Sequence, residues 1–94
     1  SIENIIFAAS EYFKISENQI LSRKRTKEVA FARQVAMYLA KEMTSYTLES
    51  IGLNFGGKDH ATVLYAYNTI SESMKRNPEV RNIITDIKNA LSKM

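Results

Sequence analysis

Phe55-Gly56-Gly57-Lys58-Asp59-His60-Ala61-Thr62-Val63 reads as a turn feeding a helix, and the rest of the fold follows from where that helix lies. Two adjacent glycines reach φ > 0 at little steric cost, which permits a sharp turn. Asp59 is placed as a helix N-cap, its carboxylate set to accept from the backbone N–H of Ala61 or Thr62. Lys58, His60 and Thr62 load the tip with hydrogen-bonding side chains, as expected of a helix that meets a ligand end-on. Past the cap, Val63, Ala66, Tyr67, Ile70 and Met74 recur at spacings of three and four and form a core stripe. Ala61, Tyr65, Asn68 and Glu72 face outward, flanked by Lys58, Thr62 and Thr69.

Upstream of the turn, Thr47 caps a short helix from Leu48 to about Leu53, with Glu49 favourably placed in its first turn. Leu48, Ile51 and Phe55 anchor it, and Gly52 permits close approach of a neighbour. Before it, Thr26 caps a long helix over Lys27–Met43 with the apolar stripe Val29, Ala32, Ala36, Leu39, Ala40 and Met43. Lys27, Gln34, Tyr38 and Lys41 fall on its opposite face, and Arg33 lies between the two faces. Ile2, Ile5, Ile6, Ala9 and Phe13 give a first helix over about residues 2–13. Ser16-Glu17-Asn18-Gln19 is a capping box for a short turn ending near Leu21. After the central helices, Asn77 caps and Pro78 begins a last helix with Val80, Ile83, Ile84, Ile87 and Leu91 on its core side. No alternating run suits a strand. The expectation is an all-α helix-turn-helix domain of five main helices plus a short helical turn, occupying residues 1–94 as one unit.

Composition narrows the function. The chain has 94 residues, no cysteine and one histidine. A disulfide framework and a thiolate nucleophile are excluded, and a dedicated transition-metal site is not expected. His60 and Asp59 are neighbours, but no nucleophile–base pair recurs at a useful spacing, so the chain is not expected to be an enzyme. No apolar run has the length of a membrane span, and a cytoplasmic setting is expected. The chain begins at Ser1 rather than Met, which fits a piece of a longer protein.

Charge is segregated. Residues 22–43 hold Arg23, Lys24, Arg25, Lys27, Arg33 and Lys41 against Glu28 and Glu42, a local +4 that leaves −1 for the rest of a +3 chain. A basic block on a near-neutral body fits a polyanionic partner met on one face, and nucleic acid and an anionic membrane surface both qualify. The Ala-rich apolar side of the long helix suits insertion poorly, so membrane attachment is not expected of this domain. Ser22-Arg23-Lys24-Arg25 is either a solvated connector or an arm that lies along a nucleic-acid backbone or in a minor groove.

Ile51-Gly52 with Phe55-Gly56-Gly57-Lys58-Asp59-His60 and Thr62-Val63 resembles the signature of the bacterial DnaA replication-initiator family. Arg33-Gln34 and the Ala36, Leu39, Ala40 pattern into Lys41-Glu42 are similar to the same family. The resemblance covers essentially the whole chain and only the family's C-terminal DNA-binding domain. No complete G-x-x-x-x-G-K-[ST] loop is present, so ATP is expected only on an upstream module outside this chain. Lys58 stands where arginine is common in the family, and Ala61 where threonine is common.

The resemblance implies binding of double-stranded DNA at short replication-origin boxes of the TTATnCACA type, by a domain monomeric in isolation. It assigns Lys58, Asp59, His60, Ala61 and Thr62 to the major groove and Arg25 to the minor groove. Arg23, Lys24, Lys27, Arg33, Gln34, Lys41, Thr47 and Leu48 form the expected phosphate set. The side chains suit these roles. Asp59 can accept from a cytosine amino group, and Ala61 and the Thr62 methyl can pack on a thymine methyl. His60 can make apolar contact or a hydrogen bond, and Arg25 fits a narrow, negative A·T-rich groove. The alternatives are another helix-turn-helix regulator or a basic adaptor that binds a protein through the same face.

Overall fold

The computed structural model describes residues 1–94 as six helices: α1 (Ile2–Phe13), α2 (Glu17–Leu21), α3 (Lys27–Met43), α4 (Leu48–Asn54), α5 (His60–Arg76) and α6 (Pro78–Ser92). Caps set most of these boundaries. Ser16 Oγ accepts from Gln19 N at 3.1 Å, Thr47 Oγ1 from Ser50 N at 3.1 Å, and Asn77 Oδ1 from Glu79 N at 2.9 Å. Each satisfies an amide that the first turn of a helix leaves without an internal partner. Thr26 departs from its expected role. It has the extended backbone of a cap residue, but its side chain makes no capping bond.

α3 is the axis of the fold, touched by α1, α2, α4 and α5. Being surrounded, it buries more than one stripe: Ala32, Val35, Ala36, Met37, Leu39 and Ala40 are all within 1% of full burial. Two expectations about this helix are corrected. Tyr38, placed on the outward face by periodicity, is buried, because α5 covers that side and stacks Tyr67 on it with ring centroids 5.2 Å apart. Met43, placed in the core stripe, is 45% exposed, because the chain leaves α3 at Thr44 and no helix covers the last turn. α1 and α6 close the far side of the core, where Ile2, Ile5, Ile6, Val80, Ile84 and Ile87 are buried together.

α4 and α5 pack against each other across a five-residue connector, 55–59, in which Phe55 is fully buried as the anchor. Gly56 and Gly57 both take positive φ, 79° and 81°, as the turn requires. Gly52 is needed for close approach. A Cβ there would stand 2.1 Å from Lys58 O, so what it meets is the turn entering α5.

Candidate nucleic-acid interface

The tip of α5 is organised by Asp59. Its Oδ1 accepts from Ala61 N at 3.0 Å and lies 3.1 Å from His60 Nδ1, so one carboxylate caps the helix and holds the imidazole beside it. Asp59, His60, Ala61 and Thr62 are all exposed, as are Tyr65, Asn68 and Glu72 further along the same helix. The first turn of α5 carries no competing structure over it, which leaves these short side chains free to meet a surface.

Beside that tip, Arg23, Arg25, Arg33, Lys58 and Thr62 line one open cavity of about 210 Å³ that contains no apolar side chain. None of its four cations is paired with a carboxylate. Burial, then the charges of Arg33 and Arg23, hold the Lys58 ammonium below the ordinary lysine range. Burial likewise lowers the Arg33 guanidinium. Like charges gathered at this density repel, and an anion placed among them relieves the repulsion. The chemistry of the cavity therefore suits an anion.

The fold brings together five of the residues singled out from the sequence and sets the others apart. Lys24 is exposed on the same arm, its amide donating to Ser22 Oγ at 3.1 Å. Lys41 lies on the α5-facing side of α3 with its ammonium 4.9 Å from the centre of the Tyr67 ring. Lys27 is exposed at the start of α3, and Gln34 is half-buried. Thr47 and half-buried Leu48 sit at the N-terminal end of α4.

Two side chains carry work that the local sequence does not announce. Arg33 is 8% exposed and donates from Nε to Ile20 O at 2.7 Å and from Nη2 to Gln19 O at 3.1 Å. Lys58 Nζ donates to Leu21 O at 2.7 Å and to Phe55 O at 2.8 Å. One signal was available: a helix as short as α2 leaves its last carbonyls open to donors from outside it, side chains among them. Gly52, Gly57 and Lys58 have the spacing of part of a nucleotide-binding loop, but Asp59 stands where that loop needs Ser or Thr. Gly52 also lies inside α4, its carbonyl engaged by the amides of Phe55 and Lys58.

The family model described as bacterial dnaA protein helix-turn-helix matches residues 2–70, from α1 through most of α5. The chain belongs to this family. Its relatives include the chromosomal replication initiator protein DnaA of Latilactobacillus sakei subsp. sakei (strain 23K), 42% identical over 97% of this chain and 20% of the relative. The protein of the same name from Chlorobaculum tepidum is 40% identical over the whole chain and 19% of the relative. That of Lactococcus lactis subsp. cremoris is 44% identical over 94% of the chain and 19% of the relative. The chain thus spans about a fifth of the length of the DnaA proteins it matches. No helix is long and apolar enough to cross a membrane.

Proposed function

We propose that this domain binds duplex DNA at replication-origin boxes of the TTATnCACA type, and so places the DnaA protein of which it is a part at the site where chromosomal replication begins. The observation that carries this reading is the cavity of Arg23, Arg25, Arg33 and Lys58 standing directly beside the exposed tip Asp59–Thr62. One phosphate seated in that cavity would put the tip into the major groove on one side and the arm with Arg25 toward the minor groove on the other. Lys24, Lys27 and Lys41 extend the positive surface along the backbone. The function needs no catalytic group in the domain, and the protein chemistry is that of recognition.

The test is affinity for a box duplex against a scrambled duplex of equal length, at several salt concentrations. A preference on the order of 10³-fold or more is expected. Each phosphate contact removed by Lys27→Ala or Lys41→Ala lowers the salt slope by about 0.9. An affinity indifferent to sequence returns the domain to the class of basic adaptors.

A further inference from the structure

α2 has five residues, so its carbonyls run out of internal donors after one turn. Its last three carbonyls are each met by a cationic side chain from elsewhere: Gln19 O and Ile20 O by Arg33, and Leu21 O by Lys58. Lys58 reaches across 37 positions of sequence to do so, while its second bond to Phe55 O keeps it on the turn that precedes α5. The backbones fit as closely as the side chain implies. A Cβ on Gly56 would stand 2.3 Å from Leu21 O, so the turn and the end of α2 meet with no side chain between them.

The basic arm starts at the next residue. Ser22 Oγ donates to Gln19 O at 2.7 Å and accepts from Lys24 N at 3.1 Å, which sets the direction in which Arg23, Lys24 and Arg25 leave α2. An ammonium has three N–H donors, and Lys58 commits two of them to carbonyls. It retains one, too few for the paired contact that reads a guanine edge. Lys58 is a weak reader and a good tether.

We propose that Lys58 is a positioning residue: it latches the arm that carries Arg25 to the turn that starts α5, so that the minor-groove and major-groove contacts are held at a fixed separation before DNA arrives. The inference rests on the box-binding reading above. Its energetic content is preorganisation. An arm released from the latch must be ordered at the moment of binding, and that ordering subtracts from affinity. The residue then acts through Arg25, with its effect visible at base pairs it does not touch.

The test is a double-mutant cycle on box-duplex affinity with Lys58→Met, which keeps the stem and removes the ammonium, and Arg25→Ala. Lys58→Met is expected to weaken binding about 10- to 100-fold in the wild-type background and less than about threefold when Arg25 is already gone. Equal factors in both backgrounds overturn the latch, because they mean an independent contact. With base pairs changed one at a time, Lys58→Met should flatten the preference at the A·T pairs under Arg25. Flattening only at pairs facing Asp59–Thr62 overturns it. Should the variant fail to fold, the ammonium signal of wild-type Lys58 decides by NMR. A hydrogen-bond coupling from that nitrogen to the Leu21 carbonyl that persists on adding box duplex supports the latch, and its loss overturns it. If the wild-type protein itself does not prefer the box, the binding reading falls and takes this inference with it. If the preference is present and the factors multiply independently, the latch alone falls.

Discussion

Arg33, in the middle of the central helix, gives its Nε–H to the carbonyl of Ile20 at 2.7 Å while its outer edge lines the cationic cavity. One side chain thus closes the end of α2 and contributes charge to the proposed interface. Arg33→Met removes the donor and leaves a buried carbonyl unsatisfied, which costs roughly 1–3 kcal/mol. Arg33→Lys recovers only part, because a compact ammonium does not reproduce two donors set side by side. Both variants should weaken every duplex alike, and Arg33→Met should also lower the urea midpoint. A variant that lost affinity with an unchanged midpoint would count against the structural half of this role.

The three glycines should rank by what surrounds them. Gly57→Ala meets nothing within 4 Å and carries only the strain of φ 81°, about 1–2 kcal/mol. Gly56→Ala adds a collision with Leu21 O at 2.3 Å, so overpacking of roughly 1–3 kcal/mol comes on top of the same strain. Gly52→Ala is the sharpest case. In an open helix the change would gain up to about 1 kcal/mol from propensity. Here the new methyl lies 2.1 Å from Lys58 O, and the sign reverses. Thermal melting of the three variants checks the order, and a stabilised Gly52→Ala would contradict the packing described.

Asp59 separates capping from reading. Asp59→Ala loses the bond to Ala61 N and should cost about 1 kcal/mol of stability. Asp59→Asn keeps a capping oxygen, so the domain should melt close to wild type. Its amide adds a donor where the carboxylate could only accept, which should change the preferred base pair at the tip. Melting curves and a base-by-base affinity profile of the two variants distinguish the roles. If Asp59→Asn left the profile untouched, Asp59 would be a cap and nothing more.

Much of the domain was legible in the chain because its signals are local. The caps at Ser16, Thr47, Asp59 and Asn77, Pro78 at the start of α6, and the glycine turn each depend on residues within a few positions. The misreadings fall where tertiary contact decides. Tyr38 is buried because Tyr67, far along the chain, stacks on it, and a helix covered on several sides has no single outward face for periodicity to find. Met43 is apolar and correctly spaced, but the helix ends there and nothing packs over it. At the candidate site, the exposed tip Asp59–Thr62 and the basic arm could be located from pattern. The cavity joining them could not, since Arg33 and Lys58 reach carbonyls 13 to 37 positions away.

The cavity also makes a prediction about pH. Lys58 is the cavity's only amine, set among guanidinium groups and the neutral Thr62 hydroxyl. In the free protein, burial, Arg33 and Arg23 hold the Lys58 pKa below the ordinary 10.5. The unfolded chain therefore binds this proton more tightly, and the group's contribution to stability rises as pH climbs from the folded value to the unfolded one. Binding has the opposite sign. A phosphate in the cavity screens the arginines and raises the Lys58 pKa, so the complex binds the proton more tightly than the free protein. Affinity should be flat with respect to this group at neutral pH and fall as pH rises through the free-protein value, by at most about tenfold per pH unit. Titrations on the alkaline side, up to the ordinary lysine value of 10.5, should show this loss in wild type and a smaller one in Lys58→Met. Equal losses in the two proteins would place the titrating group outside the cavity.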